Sequence, residues 1–535
     1  MHKRIIVHPF IIAVYPIFVL LAFNRNQVFF WTAYRSLIIS IMMVVLIWLV
    51  FRLILRDWHK AAFISSLILL VFFTYGHIFT YLEDVTVMGY NLGRHRVLIG
   101  LSLIGIGLVI ILLLRVKQPL TKVTQALNII SLVALAFPVT QLGVFAGRAA
   151  IQASSKKGLV SEAIIKNELS GLSVPEGQTP PDIYYLVFDT YTRDDTLNTY
   201  FQVDNAPFLT QLEEMGFYVA RCGQSNYALT QPSLASSLNL DYLDKLGLEV
   251  IDINNPGQMN LLLRGNAVRY ALHRLGYQIV GVESGFSPTE WEDADVYLST
   301  RRGVGNAILT GGINPFEAIL LKTSVGIFLY EYKPQLSYEM QSFLDTAYTE
   351  HRSRILYALD ELAEVSEIPG PKFVFAHLLI PHSPFVFGAN GEIVGRKQPF
   401  TLNDDAEIRD PDKYRKGFRD QLAYTNRRIL PILRSILAKS TVPPIIILQG
   451  DHGTKAQVSS RNARLTILNA YHLPGNSRMA LYPEITPVNT FRIIFDQYFG
   501  GQLPLLNDVS YFSQYGDTDN SPLIMPNERT DCNLP

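Results

Sequence analysis

Long apolar runs fill the first 150 residues of the chain, whereas short apolar runs between polar segments make up the rest. Five of the long runs approach or exceed the roughly 18–20 residues that a helix needs to cross a bilayer. They are Ile5–Phe23, Tyr34–Leu53, Ala61–Leu82, Val97–Leu114 and Val123–Val144. His2-Lys3-Arg4 resembles the start of a signal peptide, but four further runs follow without a small-residue cleavage site. The pattern therefore predicts a retained five-helix transmembrane anchor in residues 1–150.

The positive charges of the short loops predict how this anchor is oriented. If the N-terminus is cytoplasmic, the inside segments carry Lys3, Arg4, Arg52, Arg56, Lys60, Arg115, Lys117 and Lys122. The outside loops then carry Arg25, Arg94 and Arg96, with Arg35 near a helix end. Arg148, Lys156 and Lys157 oppose this orientation without outweighing the loop total. An odd number of spans places everything after Val144 outside the cytoplasm.

Beyond the anchor, residues 151–180 are predicted to form a juxtamembrane connector. Leu159–Leu169 has the pattern of a short amphipathic helix on the membrane surface, and Ser173–Pro181 reads as a linker. A later apolar segment, Asn314–Tyr330, is too short for a sixth span. It is predicted to be a buried helix, the alternative being an interfacial helix that faces the bilayer or lines a lipid entry path.

From Asp182 onward, short apolar β-runs alternate with helical patterns. The strongest strand patterns are Ile183–Phe188, Tyr277–Val282, Phe373–Leu379 and Ile445–Leu448. The helical patterns are Pro207–Met215, Ala267–Leu275, Ser342–Val365 and Tyr414–Leu437. Near-continuous apolar strands separated by helices are typical of a largely parallel sheet covered on both faces. Residues 181–535 are therefore predicted to be one large α/β domain.

Composition narrows the function classes. The chain has 46 Lys and Arg against 46 Asp and Glu, so its formal net charge of zero gives no indication of a nucleic-acid partner. It has two cysteines, Cys222 and Cys532. In an oxidising compartment they could pair and hold the C-terminal tail to the domain, but two free thiols fit the sequence equally well.

Polar residues follow three of the predicted strands. Asp189 follows the first, His377 and His382 lie at the end of the third, and Asp451 with His452 follows the last between two glycines. The carboxyl ends of parallel strands share one edge of a sheet, so these groups can meet. Asp and His together suit a divalent metal such as Zn²⁺ or Mn²⁺.

A fourth segment, Thr230-Gln231-Pro232-Ser233, looks like a loop that enters a helix over Ser233–Leu238. A helix N-terminus favours anions, and a hydroxyl beside a metal can attack phosphorus. From this segment alone, a simple helix cap is the favoured interpretation of Thr230.

The order of these four elements resembles the alkaline phosphatase/sulfatase superfamily over about residues 180–500. With a five-span anchor in front, the chain is similar to lipoteichoic acid synthases and lipid A phosphoethanolamine transferases. The resemblance implies that Asp189, Asp451 and His452 bind the metal. It also implies that Thr230 is both a ligand and the nucleophile, forming a phospho-threonine. His382 would hold a substrate phosphate or donate a proton.

Two departures refine the resemblance. Those transferases usually have Glu as the first ligand, so Asp189 is closer to the sulfatase and phosphatase pattern. Formylglycine sulfatases have Cys or Ser followed by x-Pro-Ser-Arg, whereas this chain has Thr230-Gln231-Pro232-Ser233-Leu234. Threonine cannot become formylglycine, so sulfatase chemistry by that route is not expected.

We expect one divalent metal, Zn or Mn or else Mg. Further ligands for a second metal would have to come from His377, His472, Asp194 and Asp195. His377 and Lys455 are additional candidates for binding the substrate. His472 is expected to be a structural loop residue, and Lys455 a solvated one by default.

Taken together, these features predict a multi-pass enzyme of a bacterial-type inner or plasma membrane with its catalytic domain outside the cytoplasm. It would transfer a phosphoglycerol or phosphoethanolamine type of head group from a lipid donor to an envelope glycan or lipid. A phosphodiesterase or phosphatase with the same site is the alternative, and a non-catalytic membrane scaffold is a third reading. The sequence does not indicate an oligomeric state.

Overall fold

The computed structural model describes residues 5–24, 30–83, 85–118, 120–154, 169–246, 256–300, 311–396, 398–402, 410–454, 460–512, 523–525 and 527. The chain divides into two units. The first, here called the helical unit, contains residues 1–147, 303–349 and 395–401. The second, the sheet unit, contains residues 148–302, 350–394 and 402–535. The boundaries at residues 150 and 180 that the sequence suggests stay a prediction.

Five apolar helices form most of the helical unit. They are α1 (His8–Phe23), α2 (Tyr34–Leu55), α3 (Trp58–Leu82), α4 (His95–Arg115) and α5 (Thr121–Ser154). Four helical stretches that include α2–α5 are long and apolar enough to cross a membrane, whereas α1 has 16 residues. A short hairpin, β1 (Thr86–Val87) and β2 (Tyr90–Asn91), connects α3 to α4. The predicted set of apolar N-terminal helices is confirmed, with the first one shorter than the others.

A capped helix from the middle of the sequence belongs to the helical unit. This helix, Pro315–Thr323, begins with a capping box: the Asn314 side chain accepts from Glu317 N, and Glu317 Oε2 accepts from Asn314 N at 3.1 Å. Phe316 is fully buried in a cluster with Ile17, Leu21, Ala33 and Leu142. The burial agrees with the first interpretation of this segment, although the helix ends at Thr323.

Shorter helices complete the helical unit. They are Phe30–Ala33, Val325–Ile327, Phe328–Glu331, Lys333–Gln335 and Tyr338–Leu344.

A seven-stranded sheet lies at the centre of the sheet unit. Its strands are β3 (Ile183–Phe188), β4 (Tyr218–Val219), β5 (Gln278–Val282), β6 (Val296–Leu298), β7 (Lys372–Leu378), β8 (Ile445–Gly450) and β9 (Asn469–His472). Their order is β4-β9-β8-β3-β7-β5-β6. The five strands from β8 to β6 are parallel, and β9 is antiparallel to both β8 and β4. The predicted largely parallel sheet is confirmed.

Burial explains why the strands could be read from sequence. Every residue of β3, β7 and β8 is buried, as expected for central strands covered on both faces. The covering helices of this unit are Asp194–Phe201, Ala206–Glu214, Thr230–Asn239, Pro256–Arg264, Ala267–Arg274, Pro411–Lys439 and Pro487–Phe499. A further helix is Thr346–Leu362. On one face of the sheet, Tyr185 packs edge-on against Phe491, with ring centroids 5.3 Å apart.

The C-terminal segment of the sheet unit contacts the backbone at Cys222. Strand β10 (Ser510–Phe512) pairs with β11 (Leu523–Met525), and Asn527 Nδ2 donates to Cys222 O at 2.8 Å. Cys222 is disulfide-bonded. The chain has one other cysteine, Cys532, which lies outside the described residues.

This bond leads to a stability prediction. We expect Cys222→Ser to lower the free energy of unfolding by about 2–4 kcal/mol, because an unlinked tail gains conformational entropy when the chain unfolds. Thermal unfolding in detergent, followed by tryptophan fluorescence, measures the change. Cys532→Ser and the double variant should unfold at the same temperature as Cys222→Ser, since each removes the same bond. Additive losses would contradict a bond between these two cysteines.

Candidate metal centre and nucleophile

Three acidic or imidazole side chains meet where two neighbouring strands end. Phe188, at the end of β3, is in register with Gly450 at the end of β8. Asp189, Asp451 and His452 therefore leave the sheet side by side, and one ligand atom from each lies within 4.8 Å of the others. All three residues are at least 95% buried. The meeting point predicted from the strand ends is where the structure places them.

The two glycines around Asp451-His452 are required by close backbone approach. A Cβ atom at Gly450 would collide with the carbonyl oxygen of Tyr191, and one at Gly453 would collide with that of Ala463. Gly453 N also donates to Arg464 O at 2.8 Å. The glycines thus let the turn that carries both ligands pack tightly against the loops beside it.

His452 presents an acceptor nitrogen to three oxygens. Its Nδ1 lies 2.7 Å from Gly453 O, which can only accept, so Nδ1 carries a proton, and in the neutral imidazole Nε2 then has the lone pair. Nε2 lies 3.2 Å from Thr230 Oγ1, 3.4 Å from Asp451 Oδ2 and 3.8 Å from Asp189 Oδ1. A lone pair facing two carboxylates is repelled by them unless a cation lies between. Such a carbonyl-oriented imidazole is the usual arrangement at a metal site.

Asp451 is held by one oxygen and presents the other. Oδ1 accepts from Thr190 N at 3.0 Å and from His452 N at 2.8 Å. Within the described residues, Oδ2 has no hydrogen-bond partner although it is buried. Burial alone would raise the pKa of Asp451, but the positive charge that His452 and His377 carry when protonated, together with the hydrogen bond from Thr190 N, lowers it below the ordinary value. The residue is therefore an ionised carboxylate with one oxygen available to a cation.

These observations fit a bound divalent metal. Two carboxylates and an imidazole nitrogen are ligands that Zn²⁺ and Mn²⁺ accept, and the Thr230 oxygen is close enough to be a fourth. A cation between them would stabilise both the buried Oδ2 of Asp451 and the lone pair on Nε2 of a neutral His452. The site can hold a divalent cation, and its ligand set does not fix which one.

Thr230 is the first residue of its helix. The helix runs over Thr230–Asn239, so it begins three residues earlier than the sequence suggested, and its N-cap is Leu229. Thr230 is therefore not the N-cap residue, and Leu229 makes no side-chain capping bond. The Thr230 hydroxyl instead contacts His452 Nε2. The N-terminal position adds a favourable dipole for an anion.

Buried polar contacts fix this helix to the sheet. Ser233 Oγ donates to Asp451 O at 2.6 Å, one turn after Thr230. Ser237 Oγ lies 3.0 Å from the hydroxyl of Tyr185, which donates to Gln449 Oε1 on β8 at 2.6 Å. The helix that begins at Thr230 and the turn that carries Asp451 and His452 are therefore fixed to each other by hydrogen bonds.

Of the other predicted site residues, His377 lies next to this centre, His382 lies in a nearby part of the sequence, and Lys455 is not described. His377, on β7, has Nε2 3.8 Å from Asp189 Oδ2, and its Nδ1 lies 3.0 Å from Thr289 Oγ1. His382 lies in the loop after β7, where its ring contacts Ser383 O and its carbonyl accepts from Gln421 at 2.7 Å. Its contact with a substrate stays a prediction. Lys455 lies outside the described residues.

The residues considered for a second metal have other contacts. Asp195 forms a two-pronged pair with Arg193, at 2.7 and 2.8 Å. Asp194 Oδ2 lies 3.8 Å from Arg221 Nη1. His472 ends strand β9 rather than lying in a loop, and its Nδ1 is 2.8 Å from Pro444 O. These contacts give each residue a structural role.

The sequence interpretation missed three residues that support the site: Thr190, Ser233 and Thr289. Thr190 bonds Asp451 through its backbone N–H, Ser233 bonds the carbonyl of the same residue, and Thr289 orients His377. Their contacts depend on backbone placement rather than on a motif. Only their nearness in sequence to Asp189 and Thr230 could have indicated the first two.

Comparisons with known proteins give fold-level similarity only. No protein-family model matches the chain, and no curated protein sequence matches it. Solved structures with a similar fold include the integral membrane lipooligosaccharide phosphoethanolamine transferase A (EptA) of Neisseria meningitidis. It is 12% identical, covers 92% of this chain and 95% of its own, and has a TM-score of 0.40.

Two periplasmic domains also match. The Zn complex of the C-terminal periplasmic domain of EcEptC from Escherichia coli is 10% identical, with 66% of this chain and 94% of that chain covered and a TM-score of 0.40. The C-terminal periplasmic domain of phosphoethanolamine transferase EptC from Campylobacter jejuni is 9% identical, with 62% and 94% covered and a TM-score of 0.37.

Proposed function

We propose that this chain is a membrane-anchored, metal-dependent phosphotransferase that acts outside the cytoplasm. It moves a phospho-head group of the phosphoglycerol or phosphoethanolamine type from a lipid donor to an envelope glycan or lipid. The observation that carries the proposal is the Thr230 hydroxyl at a helix N-terminus, 3.2 Å from His452 Nε2 and beside two buried carboxylates. A hydroxyl in this setting is placed to attack phosphorus.

In the first half-reaction, Thr230 Oγ forms a bond to the phosphorus of the donor, and the bond from phosphorus to the lipid alcohol breaks. The alcohol oxygen leaves with a proton from His382, the candidate donor, and the proton lost by the Thr230 hydroxyl restores that of His382. In the second half-reaction, an acceptor hydroxyl oxygen forms a bond to the phosphorus, the bond from phosphorus to Thr230 Oγ breaks, and the proton of the acceptor hydroxyl returns to Thr230 Oγ. A divalent metal held by Asp189, Asp451 and His452 supplies positive charge that makes the hydroxyl more acidic and neutralises the phosphoryl oxygens.

The anchor supports a lipid substrate. Four helices are long and apolar enough to anchor the protein in a bilayer, which an enzyme acting on soluble phosphate esters does not need. The loop charges support an extracytoplasmic domain of residues 181–535. Arg35, the cation near an outside helix end, pairs with Glu317 and donates to the carbonyls of Gly311 and Gly312. Its charge therefore does not oppose this orientation.

A lipid donor with a labelled phospho-head group tests the proposal. The full chain in detergent with Mn²⁺ or Zn²⁺ is incubated with phosphatidylethanolamine or phosphatidylglycerol labelled in this group, and the label is followed. We expect label on the protein at Thr230 and then on an added lipid or glycan acceptor. Free head-group phosphate without transfer would favour the second candidate, a phosphodiesterase or phosphatase, because water would then replace the acceptor. No release or transfer with either metal would contradict both and favour a scaffold.

A further inference from the structure

Thr190, directly after the metal-ligand candidate Asp189, has an unusual backbone conformation. Its φ is 62°, and it is the one β-branched residue among the five non-glycine residues with positive φ in the described ranges. A β-branched side chain in the left-handed region is a genuine outlier because its Cβ crowds the backbone. Glycine would adopt the same conformation without this strain. The threonine side chain is therefore kept at a position where the backbone disfavours it.

The backbone hydrogen bond of Thr190 does not explain why a threonine side chain occupies this position. Its N–H donates to Asp451 Oδ1 at 3.0 Å, and glycine would make the same bond. The side chain is buried, with 1% of its surface exposed, and its hydroxyl has no hydrogen-bond partner in the described part of the chain. An unsatisfied buried hydroxyl is itself destabilising. Backbone strain and an unsatisfied buried hydroxyl at one residue next to Asp189 would both be explained by a bound ligand that accepts a hydrogen bond from this hydroxyl.

Two neighbours share this property. Thr454 lies two residues after His452, is fully buried, and has a hydroxyl without a hydrogen-bond partner among the described residues. Asn462 is 3% exposed, and neither its amide nitrogen nor its amide oxygen has a partner there. All three residues can donate hydrogen bonds through uncharged groups.

Backbone bonds bring the loops of these residues together around the metal-binding turn. Gly453 N donates to Arg464 O, and the Asn462 carbonyl accepts from Leu465 N at 2.8 Å. Leu468 N donates to Tyr191 O at 2.9 Å, which connects the Thr190 loop to the segment that follows Arg464. Thr190 therefore directly follows Asp189, Thr454 lies two residues after His452, and Asn462 belongs to the loop whose residue Arg464 is bonded to Gly453.

We propose that Thr190, Thr454 and Asn462 form a phosphoryl-binding cluster, with the Thr190 hydroxyl donating a hydrogen bond to a phosphoryl oxygen of the substrate. The inference rests on the proposed function and specifies how its site receives the phospho-group. A phosphoryl group has several anionic oxygens, and those away from the metal need donors. The cluster supplies donors without adding charge.

The test compares three variants by two measurements. Thr190→Val removes the hydroxyl and keeps the branched shape, Thr190→Ser keeps the hydroxyl, and Thr190→Gly removes both the hydroxyl and the strain. The first measurement is the affinity of the Mn²⁺-loaded full chain for inorganic phosphate, from the phosphate-induced rise in melting temperature. The second is the rate of phospho-group release from the labelled lipid donor.

We expect the valine and glycine variants to bind phosphate at least about tenfold more weakly and to turn over at least about tenfold more slowly. The serine variant should stay close to wild type. Thr190→Gly should also melt at a higher temperature than Thr190→Val without phosphate. Thr192→Val is the matched control: its hydroxyl contacts Thr466 O, so this change should lower the melting temperature without weakening phosphate binding.

The outcomes separate this inference from the proposed function. Turnover and phosphate binding that are both unchanged in Thr190→Val would overturn the inference alone. A wild-type chain that binds phosphate through Thr190 but transfers or releases nothing would support the cluster and overturn the proposed function. A wild-type chain that neither binds phosphate nor turns over would overturn both.

Discussion

Replacing Thr230 by alanine should abolish the phospho-adduct and lower turnover by at least about a thousandfold. The hydroxyl is the one nucleophile that the described structure places against His452 Nε2, at 3.2 Å, and alanine leaves nothing there to bond phosphorus. The helix should still form, because the N-cap is Leu229 and makes no side-chain bond. Intact mass spectrometry after incubation with the lipid donor measures the adduct, and initial rates measure turnover.

Thr230→Ser provides the matched control. It keeps a primary hydroxyl at the start of the helix, so an adduct at position 230 and a substantial rate should persist. Metal content should also persist in the alanine variant, since Asp189, Asp451 and His452 are unchanged. Full turnover by Thr230→Ala, or an adduct of unchanged mass on another residue, would contradict a threonine nucleophile.

Asp451→Asn should remove the bound metal and the thermal stabilisation that the metal provides. Asp451 Oδ2 is a buried carboxylate oxygen without a hydrogen-bond partner among the described residues, so an amide group there would leave the cation poorly neutralised. A metal present at about a hundred to a thousand times its dissociation constant stabilises a protein by roughly 3–4 kcal/mol. Elemental analysis of the purified chain and melting curves with and without chelator measure the two effects.

Asp195→Asn is the control for a general loss of acidic charge. Asp195 is engaged by Arg193, so this variant should keep its metal and its response to chelator. A wild-type melting temperature that chelator does not change would argue against a resident metal. Stoichiometric metal in Asp451→Asn would show that the ion binds elsewhere.

The fold was largely readable from sequence because its central strands are buried on both faces. The apolar runs at Ile183–Phe188 and Ile445–Leu448 coincide with β3 and most of β8. Those strands also end where the polar residues begin, so the meeting of Asp189 with Asp451 and His452 followed from parallel pairing. The order of the strands in the sheet could not be predicted, because it depends on the paths of long connections, and hydrophobic periodicity gives no information on those paths.

The features that could not be predicted from the sequence depend on backbone conformation or on the folded sheet. The left-handed conformation of Thr190 is contrary to the preference of threonine, so no propensity argument finds it. The sequence predicts a loop over Thr230-Gln231-Pro232-Ser233 that leads into a helix, whereas the helix already begins at Thr230, since proline is tolerated in a first helical turn. The partner of His377, Thr289, is 88 residues away in the chain and appears only once the sheet is formed.

The helix Pro315–Thr323 has a practical consequence for obtaining the catalytic part of the molecule by itself. Its residue Phe316 packs in a cluster with Ile17, Leu21 and Leu142, all of which precede the sheet unit in sequence. A fragment shortened to begin at residue 169 would retain this helix but lose its packing partners, exposing apolar surface to water. Such a fragment should self-associate unless detergent is present. We therefore expect that removal of residues 1–168 does not by itself give a water-soluble fragment.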